Sequence, residues 1–192
     1  MVTRVAITGF GRIGRLTLRA LLESKRKDIK LVALNAAGTP DSVAHLFEYD
    51  SIHGRYQGNI KTTQSSINFG NGAVKLVSAR DPKDLPWKNL DVDVVLECTG
   101  AFNTKEQSMA HIEAGCQRVL ISAPTKTADL TVVYGVNHTK LRKSHQIVSN
   151  ASCTTNALAP LVSVLDKKIG IENGFMTTVH AYTGDQRLVD NR

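Results

Sequence analysis

The chain has 192 residues, of which 42% are hydrophobic and 21% are charged. These proportions exclude a disordered chain, because such chains lack the apolar surface needed to offset the entropy of ordering. No apolar run approaches the ~20 residues of a membrane span. Three cysteines at irregular spacing are typical of a reducing compartment rather than of a disulfide scaffold. We therefore expect a cytoplasmic globular protein that does not enter a membrane.

Most of the net charge of +7 lies in residues 1–30, which contain eight basic and only two acidic side chains. A basic segment attracts nucleic acid or phosphorylated small molecules. Single-stranded nucleic acid is usually bound with the help of exposed aromatic rings, and this segment has one aromatic residue, Phe10. We expect a solvated helix face with a few phosphate contacts, and no nucleic-acid partner.

Apolar periodicity predicts strands that alternate with helices along the chain. Strands are predicted over residues 2–8, 31–34, 92–98, 119–122, 131–134 and 147–149, and a β-hairpin is predicted within 57–79, turning at 70–72. Helices are predicted over residues 13–22 and 157–168. Two more are predicted: one that begins after the N-cap Thr39, and one that follows the strand over 92–98 and ends at about Ala114. This alternation predicts an α/β fold with a doubly wound parallel sheet covered on both faces.

The last predicted element is a long strand over residues 171–182, for which the sequence shows no pairing partner. No internal repeat, low-complexity tract or linker interrupts the chain. An unpartnered strand so near Arg192 is the expected appearance of a chain cut short.

The segment from Gly9 to Gly14 fits G-x-G-x-x-G directly between a predicted strand and a predicted helix. In dinucleotide-binding folds the first glycine permits the turn, the second lets the backbone approach a pyrophosphate, and the third packs helix against strand. Helix N–H groups then attract the anion. The alternative is an ordinary tight turn between a strand and a helix.

The acid that usually follows this motif by ~20 residues, to grip the ribose hydroxyls, is missing. The second predicted strand ends instead in Asn35, Ala36 and Ala37. Without a carboxylate to repel a 2′-phosphate, NADP becomes acceptable, with Arg80 and Thr39 as candidate partners for that phosphate. The alternative is NAD, with Asn35 helping to fix the adenosine ribose.

Cys153 is the candidate nucleophile, because it lies at or just before a predicted helix start. Unpaired N–H groups and the helix dipole at that position favour a thiolate over a thiol. Cys98 ends an apolar strand and Cys116 follows a helix-stop glycine, so both are interpreted as packing residues. A structural role for Cys153 is the alternative.

Among the six histidines, His180 is the candidate base, because a strand would hold its imidazole rigidly. The alternative is a half-buried strand histidine. No Cys/His cluster has the spacing of a zinc site, so we expect no metal.

Seven segments together carry a resemblance to phosphorylating glyceraldehyde-3-phosphate dehydrogenases. They occur in that family's order over the whole chain: GFGRIGR (9–15), YDSIHG (49–54), ECTG (97–100), ISAP (121–124), YGVNH (134–138), SNASCTTN (149–156) and HAYTGDQ (180–186). Three residues depart from the family's usual pattern. These are Thr8 for Asn, Ala36 for the ribose-binding Asp, and Ala157 for a frequent second cysteine.

The resemblance assigns roles to individual residues. It implies that Cys153 is the nucleophile and that His180 is its activating base. It places the dinucleotide against the glycine turn and against Arg12, Ile13, Arg80, Thr99 and Ser122. It places the aldehyde substrate or the incoming phosphate against Ser152, Thr154 and Thr183. The implied product is 1,3-bisphosphoglycerate, formed from glyceraldehyde 3-phosphate through a Cys153 thioester.

The resemblance also implies a Rossmann-type NAD(P)-binding domain over residues 1–150 and the beginning of an α+β catalytic domain over 151–192. It implies a homotetramer for the full-length enzyme, acting in glycolysis, gluconeogenesis or carbon fixation. Family members are considerably longer, so turnover by this chain alone is expected to be poor. Two alternatives stay open: a non-catalytic dinucleotide-binding fragment, and an erythrose-4-phosphate dehydrogenase.

Overall fold

The computed structural model describes residues 2–181, which form nine strands and four α-helices. The strands are β1 (Thr3–Thr8), β2 (Ile29–Asn35), β3 (Lys61–Thr62), β4 (Ser66–Asn68), β5 (Ala73–Val77), β6 (Val94–Glu97), β7 (Arg118–Ile121), β8 (Leu130–Thr131) and β9 (Ile147–Ser149). The helices are α1 (Arg12–Glu23), α2 (Pro40–Glu48), α3 (Lys105–Glu113) and α4 (Cys153–Ile169), with 3-10 turns at Pro82–Asp84 and His138–Lys140.

All nine strands belong to one sheet, in the order β3-β4-β5-β2-β1-β6-β7-β9-β8. Neighbours from β5 to β8 are parallel, whereas β3, β4 and β5 pair antiparallel as the predicted hairpin. The chain starts in the middle at β1, builds outward through β2, and then returns to add β6 on the other side. This reversal opens a crevice at the carboxyl ends of β1 and β6, where doubly wound sheets bind ligands. The predicted doubly wound α/β fold is confirmed.

Two hydrophobic cores cover the two faces of this sheet. On one face, Ile7 packs with Leu18 of α1 and Phe47 of α2. On the other face, Val95 packs with Trp87, and apolar residues of α3 pack against this cluster. Burying each such side chain contributes about 1.5–3 kcal/mol, so both faces stabilise the sheet. No helix within residues 2–181 is long and apolar enough to cross a membrane.

Three of the four helices begin with a side-chain cap. The hydroxyl of Thr39 accepts the Ser42 N–H at the start of α2, where Pro40 occupies the first helical position, as predicted. Thr104 forms a reciprocal capping box at α3, and Ser152 accepts the Thr155 N–H at α4. Each such cap contributes about 1 kcal/mol. Helix α1 instead begins at Gly11 with no side-chain cap.

The predicted strand over 171–182 is wrong for residues 171–181, which form neither helix nor strand. Its β-branched residues favour an extended chain, but a strand also needs a neighbour to share backbone hydrogen bonds. None of the nine strands pairs with these residues. Tyr182 lies outside the described residues.

Two other predicted elements differ in extent. Strand β8 ends at Thr131 rather than at residue 134, because the Asn137 side chain accepts the Val133 N–H at 2.8 Å and turns the chain. Helix α4 begins at Cys153, four residues before the predicted start, because the Ser152 cap initiates it there.

Candidate functional site

The glycine turn fits tightly between β1, α1 and the segment that follows β6. Gly9 has φ +85°, and a Cβ there would lie 2.6 Å from the Thr99 backbone nitrogen. A Cβ on Gly14 would lie 2.1 Å from the Gly9 carbonyl oxygen. Gly11 differs, because a Cβ there would meet nothing within 4 Å. Two glycines are therefore required by packing, and the third leaves open space at the helix start.

That open space lies at the uncapped start of α1. The first N–H groups of a helix have no intrahelical partner, and neither a side-chain cap nor an acidic first-turn residue is present here. Arg12 and Ile13, the first two residues of α1, are exposed. A free helix start with no negative charge of its own is suited to hold an anion such as a pyrophosphate. The turn thus fits the group that the sequence predicts for it.

A cleft of about 500 Å³ opens beside the turn, at the carboxyl ends of β1, β2 and β6. It contains four of the predicted cofactor residues: Gly9, Asn35, Arg80 and Thr99. The other residues that line it are Thr8, Phe10, Ala36, Ala37, Ser78, Ala79, Pro82, Ala101 and Phe102. None of these described lining residues is acidic.

Asn35 shapes this cleft with hydrogen bonds that use both hydrogens of its side-chain amide. The amide nitrogen donates to the Thr8 hydroxyl and to the Ala79 carbonyl, both at 3.0 Å. Its oxygen accepts the Ala79 N–H at 3.0 Å. Asn35 therefore fastens the cleft wall to β1 and keeps only acceptor capacity for a ribose. The Arg80 side chain is exposed on the cleft.

Arg12 is not among the residues that line the cleft, and it forms an ion pair with Asp50. The Asp50 carboxylate also accepts the N–H groups of His53 and Ile52, each at 2.9 Å. These two N–H donors first, and then Arg12, hold the pKa of Asp50 well below its usual range. The YDSIHG segment thereby orients the first side chain of α1.

Ser122, the remaining predicted cofactor residue, follows β7 on the far side of β6. Its N–H donates to the Glu97 carbonyl at 3.0 Å, and its hydroxyl lies against Cys98. The structure does not place Ser122 among the residues that line the cleft. Its contact with the dinucleotide remains a prediction.

Phe102 and Pro82 also line the cleft, although no sequence pattern predicts a role for either residue. Pro82 precedes β6 and Phe102 follows it, and only the fold brings them together. Glu97 was likewise not predicted; its carboxylate is 1% exposed at the end of β6. A charge within an otherwise apolar strand was the available signal.

Cys153 is the first residue of α4 and is exposed. The loop before it is held by several polar contacts: the Asn156 amide donates to the Asn150 carbonyl at 2.7 Å, and Ala151 adopts φ +60°. Within residues 2–181, no intramolecular hydrogen bond uses the Cys153 N–H. Thiol and N–H group are therefore both available at a helix start, as predicted.

The other two cysteines lie in different surroundings. Burial raises the pKa of Cys98 to about 11 and that of Cys116 to about 12. Almost no thiolate exists at either position near neutral pH. This contrast supports the interpretation of both residues as packing residues.

The predicted partners of Cys153 fall into two groups. Ser152 and Thr154 lie beside it, with their hydroxyl oxygens 3.0 Å apart. His180 lies in the exposed segment after α4, and no hydrogen bond within residues 2–181 joins it to the Cys153 thiol. Thr183 lies outside the described residues. The pairing of Cys153 with His180 stays a prediction.

Comparison with known proteins gives two matching family models. The model for "Glyceraldehyde 3-phosphate dehydrogenase, NAD binding domain" matches residues 3–105. The model for "Glyceraldehyde 3-phosphate dehydrogenase, C-terminal domain" matches residues 152–192. The first match alone covers more than half of the chain, and it includes the glycine turn and the Thr99 segment.

Three relatives named glyceraldehyde-3-phosphate dehydrogenase illustrate the similarity. The protein from Xanthobacter flavus is 56% identical over 99% of this chain and 57% of its own length. The protein from Pseudomonas aeruginosa is 52% identical with the same coverage. The protein named glyceraldehyde-3-phosphate dehydrogenase 2 from Bacillus subtilis is 50% identical over all of this chain and 56% of its own length. The chain thus spans a little more than half the length of these curated relatives.

Proposed function

Because this chain belongs to the glyceraldehyde-3-phosphate dehydrogenase family, we propose that it provides the cofactor site and the catalytic cysteine of a phosphorylating aldehyde dehydrogenase. The observation that carries this proposal is the cleft at the reversal point of the sheet, which is lined by Gly9 and Phe10 of the glycine turn that precedes the uncapped start of α1. That geometry is suited to a dinucleotide.

The dinucleotide accepts the hydride when it is bound. The chain's own residues do the rest of the chemistry. The Cys153 thiolate adds to the carbonyl carbon of glyceraldehyde 3-phosphate, and the Cys153 N–H stabilises the resulting oxyanion. His180, as an imidazolium, donates a proton to that oxyanion to give a thiohemiacetal hydroxyl. It takes the same proton back as the hydride departs, which leaves a thioester on Cys153. Inorganic phosphate then attacks the thioester carbonyl and releases 1,3-bisphosphoglycerate and the thiolate. Ser152, Thr154 and Thr183 hold the substrate and the phosphate.

Both NAD and NADP are proposed as cofactors. The cleft has Ala36, 9% exposed, where the sequence motif usually has an acid. Arg80 adds a positive charge to the same cleft. The absence of an acid among the described lining residues removes the repulsion that excludes a 2′-phosphate.

Replacing Ala36 with Asp tests the cofactor proposal. Calorimetric titration of wild type with NAD⁺ and NADP⁺ should give binding of both. Ala36→Asp should weaken NADP⁺ binding by at least about tenfold, since each tenfold corresponds to about 1.4 kcal/mol, and should leave NAD⁺ binding equal or tighter. Unchanged affinities for both cofactors would contradict a ribose contact at position 36.

The exposed position of His180, without a hydrogen bond to Cys153, favours a second candidate: a chain that binds the dinucleotide without turnover. Aldehyde-dependent formation of NADH or NADPH, followed by absorbance, separates the two. Formation with wild type and not with Cys153→Ser supports the enzyme. Binding without any reduction supports the second candidate.

Three further properties belong to the same proposal. The homotetramer of the full-length enzyme and glyceraldehyde 3-phosphate rather than erythrose 4-phosphate as substrate rest on the family, and the cytoplasmic location rests on the number and spacing of the cysteines. Comparing the turnover of glyceraldehyde 3-phosphate with that of erythrose 4-phosphate by an enzyme that contains this sequence tests the substrate.

A further inference from the structure

A buried polar network lies behind the cleft, and no step of the proposed mechanism uses it. It centres on Glu97, the last residue of β6, which is 1% exposed. One carboxylate oxygen accepts the Thr99 N–H at 2.7 Å and the Thr99 hydroxyl. The other carboxylate oxygen lies 3.1 Å from His111 Nε2.

Trp87 fixes the direction of the two hydrogen bonds that His111 makes in this network. Its indole Nε1 lies 3.0 Å from His111 Nδ1, and an indole N–H only donates. His111 Nδ1 must therefore accept, so that the hydrogen of the imidazole is on Nε2 and is donated to Glu97. Trp87 and His111 are both fully buried. No water is needed to complete the chain of donors and acceptors.

The network contacts one wall of the cleft through Thr99. While donating to Glu97, the Thr99 hydroxyl accepts the Ala101 N–H at 3.0 Å. The Phe102 ring meets the His111 ring edge-on, with centroids 6.3 Å apart. Thr99, Ala101 and Phe102 all line the cleft. The Thr99 backbone also abuts Gly9, so a shift of Thr99 would reach the glycine turn.

We propose that Glu97 is a positioning residue for the dinucleotide: its carboxylate, oriented by His111 and Trp87, holds the 99–102 wall in the shape that binds the cofactor. This inference rests on the proposed cofactor binding. A carboxylate removed from water is costly unless fully hydrogen-bonded, and an apolar side chain would fill this position at less cost. What the carboxylate adds is direction, because it presents only acceptors to Thr99 and to His111.

Glu97→Gln in the full chain keeps the shape of the side chain but replaces one hydrogen-bond acceptor with a donor. If the new amide oxygen accepts the hydrogen bonds of Thr99, the amide NH₂ faces His111 Nε2–H. The imidazole must then carry its hydrogen on Nδ1, where it faces the Trp87 N–H, a second donor. If the amide flips, Thr99 loses its acceptor. Either way one bond is lost, so the Kd for NAD⁺ should rise roughly tenfold, which is the upper end for one hydrogen bond.

Glu113→Gln is the matched control, because Glu113 lies on the exposed side of α3 and pairs with Lys83. Its Kd for NAD⁺ should stay within about twofold of wild type, since exposed ion pairs contribute little. Trp87 is the chain's single tryptophan, so the ¹H–¹⁵N NMR spectrum of the labelled protein contains one indole N–H resonance. That resonance should shift in Glu97→Gln and stay in place in Glu113→Gln.

The double variant Glu97→Gln/Trp87→Phe separates positioning from a general loss of packing. Removing the indole N–H lets His111 carry its hydrogen on Nδ1 and accept from the new side-chain amide at position 97, which can then hold Thr99 as the carboxylate did. NAD⁺ affinity should return to within about threefold of wild type. If the network only stabilised the core, the two defects would add instead.

Should Glu97→Gln fail to fold, Thr99→Val and Thr99→Ser decide the question. Only Ser retains the hydroxyl that donates to Glu97 and accepts the Ala101 N–H. In the protein without NAD⁺, the Ala101 amide and Trp87 indole resonances should therefore stay near their wild-type positions in Thr99→Ser and shift in Thr99→Val. Equal NAD⁺ affinity for wild type and Glu97→Gln, further loss in the double variant, or equal shifts of these resonances in the Val and Ser variants overturns the positioning role. Absence of NAD⁺ binding by wild type overturns the proposed function itself, and this inference with it.

Discussion

The two parts of the described chain differ sharply in how they are packed. Residues 2–150 form a nine-stranded sheet with a hydrophobic core on each face. Helix α4 has no buried residue, and its large apolar side chains are exposed, from 37% for Leu158 to 78% for Ile169. The first part is held together by tertiary packing, whereas α4 depends on its own hydrogen bonds and its Ser152 cap.

This difference separates the two halves of the proposed chemistry. Every described residue of the cofactor cleft lies in the packed part, where hydrogen bonds such as those of Asn35 fix its walls. Cys153 lies at the junction, and the residues beyond it have no comparable support. Cofactor binding is therefore expected from the described structure, whereas turnover also requires a positioned base.

The largest expected effect is a difference in the free energy of unfolding between a variant in the packed part and a variant in α4. Leu18→Ala removes a side chain that is 1% exposed and should lower the free energy of unfolding by about 2–5 kcal/mol. Leu161→Ala in α4, where the side chain is 58% exposed, should change it by about 0.5 kcal/mol or less. Urea denaturation followed by circular dichroism measures both. Comparable losses at the two positions would mean that α4 is packed in solution.

The next comparison is between the exposed thiol of Cys153 and the two buried thiols. Near neutral pH, iodoacetamide should alkylate Cys153 at least about a hundredfold faster than Cys98 or Cys116. The Cys153 thiol is exposed to the reagent, whereas burial raises the pKa values of the other two thiols to about 11 and 12 and leaves almost no thiolate there. Peptide mass spectrometry after timed labelling gives the three rates, and Cys153→Ser is the control.

The buried thiols also predict a pH dependence of stability. Their folded pKa values lie above the ordinary value of 9.0, so the unfolded chain releases these protons first as pH rises. The stabilisation is complete below about pH 9 and is lost progressively as pH rises through about 11 and 12. Cys116→Ala should flatten this decline. An unchanged slope in that variant would show that other groups cause the alkaline loss.

Two glycine substitutions test the turn. Gly14→Ala places a Cβ 2.1 Å from the Gly9 carbonyl oxygen and should lower the free energy of unfolding by about 1–3 kcal/mol. Gly11→Ala meets no atom within 4 Å, so stability should stay within about 0.5 kcal/mol while NAD⁺ binding weakens. Thermal melts and calorimetric titrations supply the two readouts. A Gly11→Ala variant that binds NAD⁺ normally would argue against pyrophosphate at that position.

The smallest expected effect concerns Arg12. Asp50→Asn weakens the ion pair that orients its guanidinium and should raise the Kd for NAD⁺ about threefold, within the range of a single polar contact. Asp28→Asn is the control, since Asp28 pairs with Arg26 on an exposed surface. Identical NAD⁺ affinities for the two variants would show that the Asp50 ion pair does not position Arg12 for NAD⁺ binding.

Capping and turn residues in the sequence predicted many of the element boundaries in the packed sheet. The Thr39 cap with Pro40 marked the start of α2, and the glycines at 70 and 72 marked the turn between β4 and β5. Gly115, at φ +111°, follows the end of α3 as predicted. These signals work because each depends on residues that are neighbours in sequence.

The sequence failed where distant contacts decide. Residues 177–179 favour an extended chain, but whether a strand forms depends on a partner, and none of the nine strands pairs with this segment. In the site, SNASCTTN located Cys153 at a helix start, and G-x-G-x-x-G located the turn. The roles of Glu97, His111 and Trp87 depend on three segments that only the fold brings together.

The most direct test of the central claim, that the cleft beside the glycine turn binds the dinucleotide, is a titration of the ¹⁵N-labelled chain with NAD⁺ followed by ¹H–¹⁵N spectra. The largest shifts should fall on Gly9, Gly11, Thr99 and Ala101. The resonances of residues that line the cavity at the C-terminal end of α1, such as Lys27 and Asn71, should stay in place. Shifts confined to that second cavity, or none at saturating NAD⁺, would contradict the account.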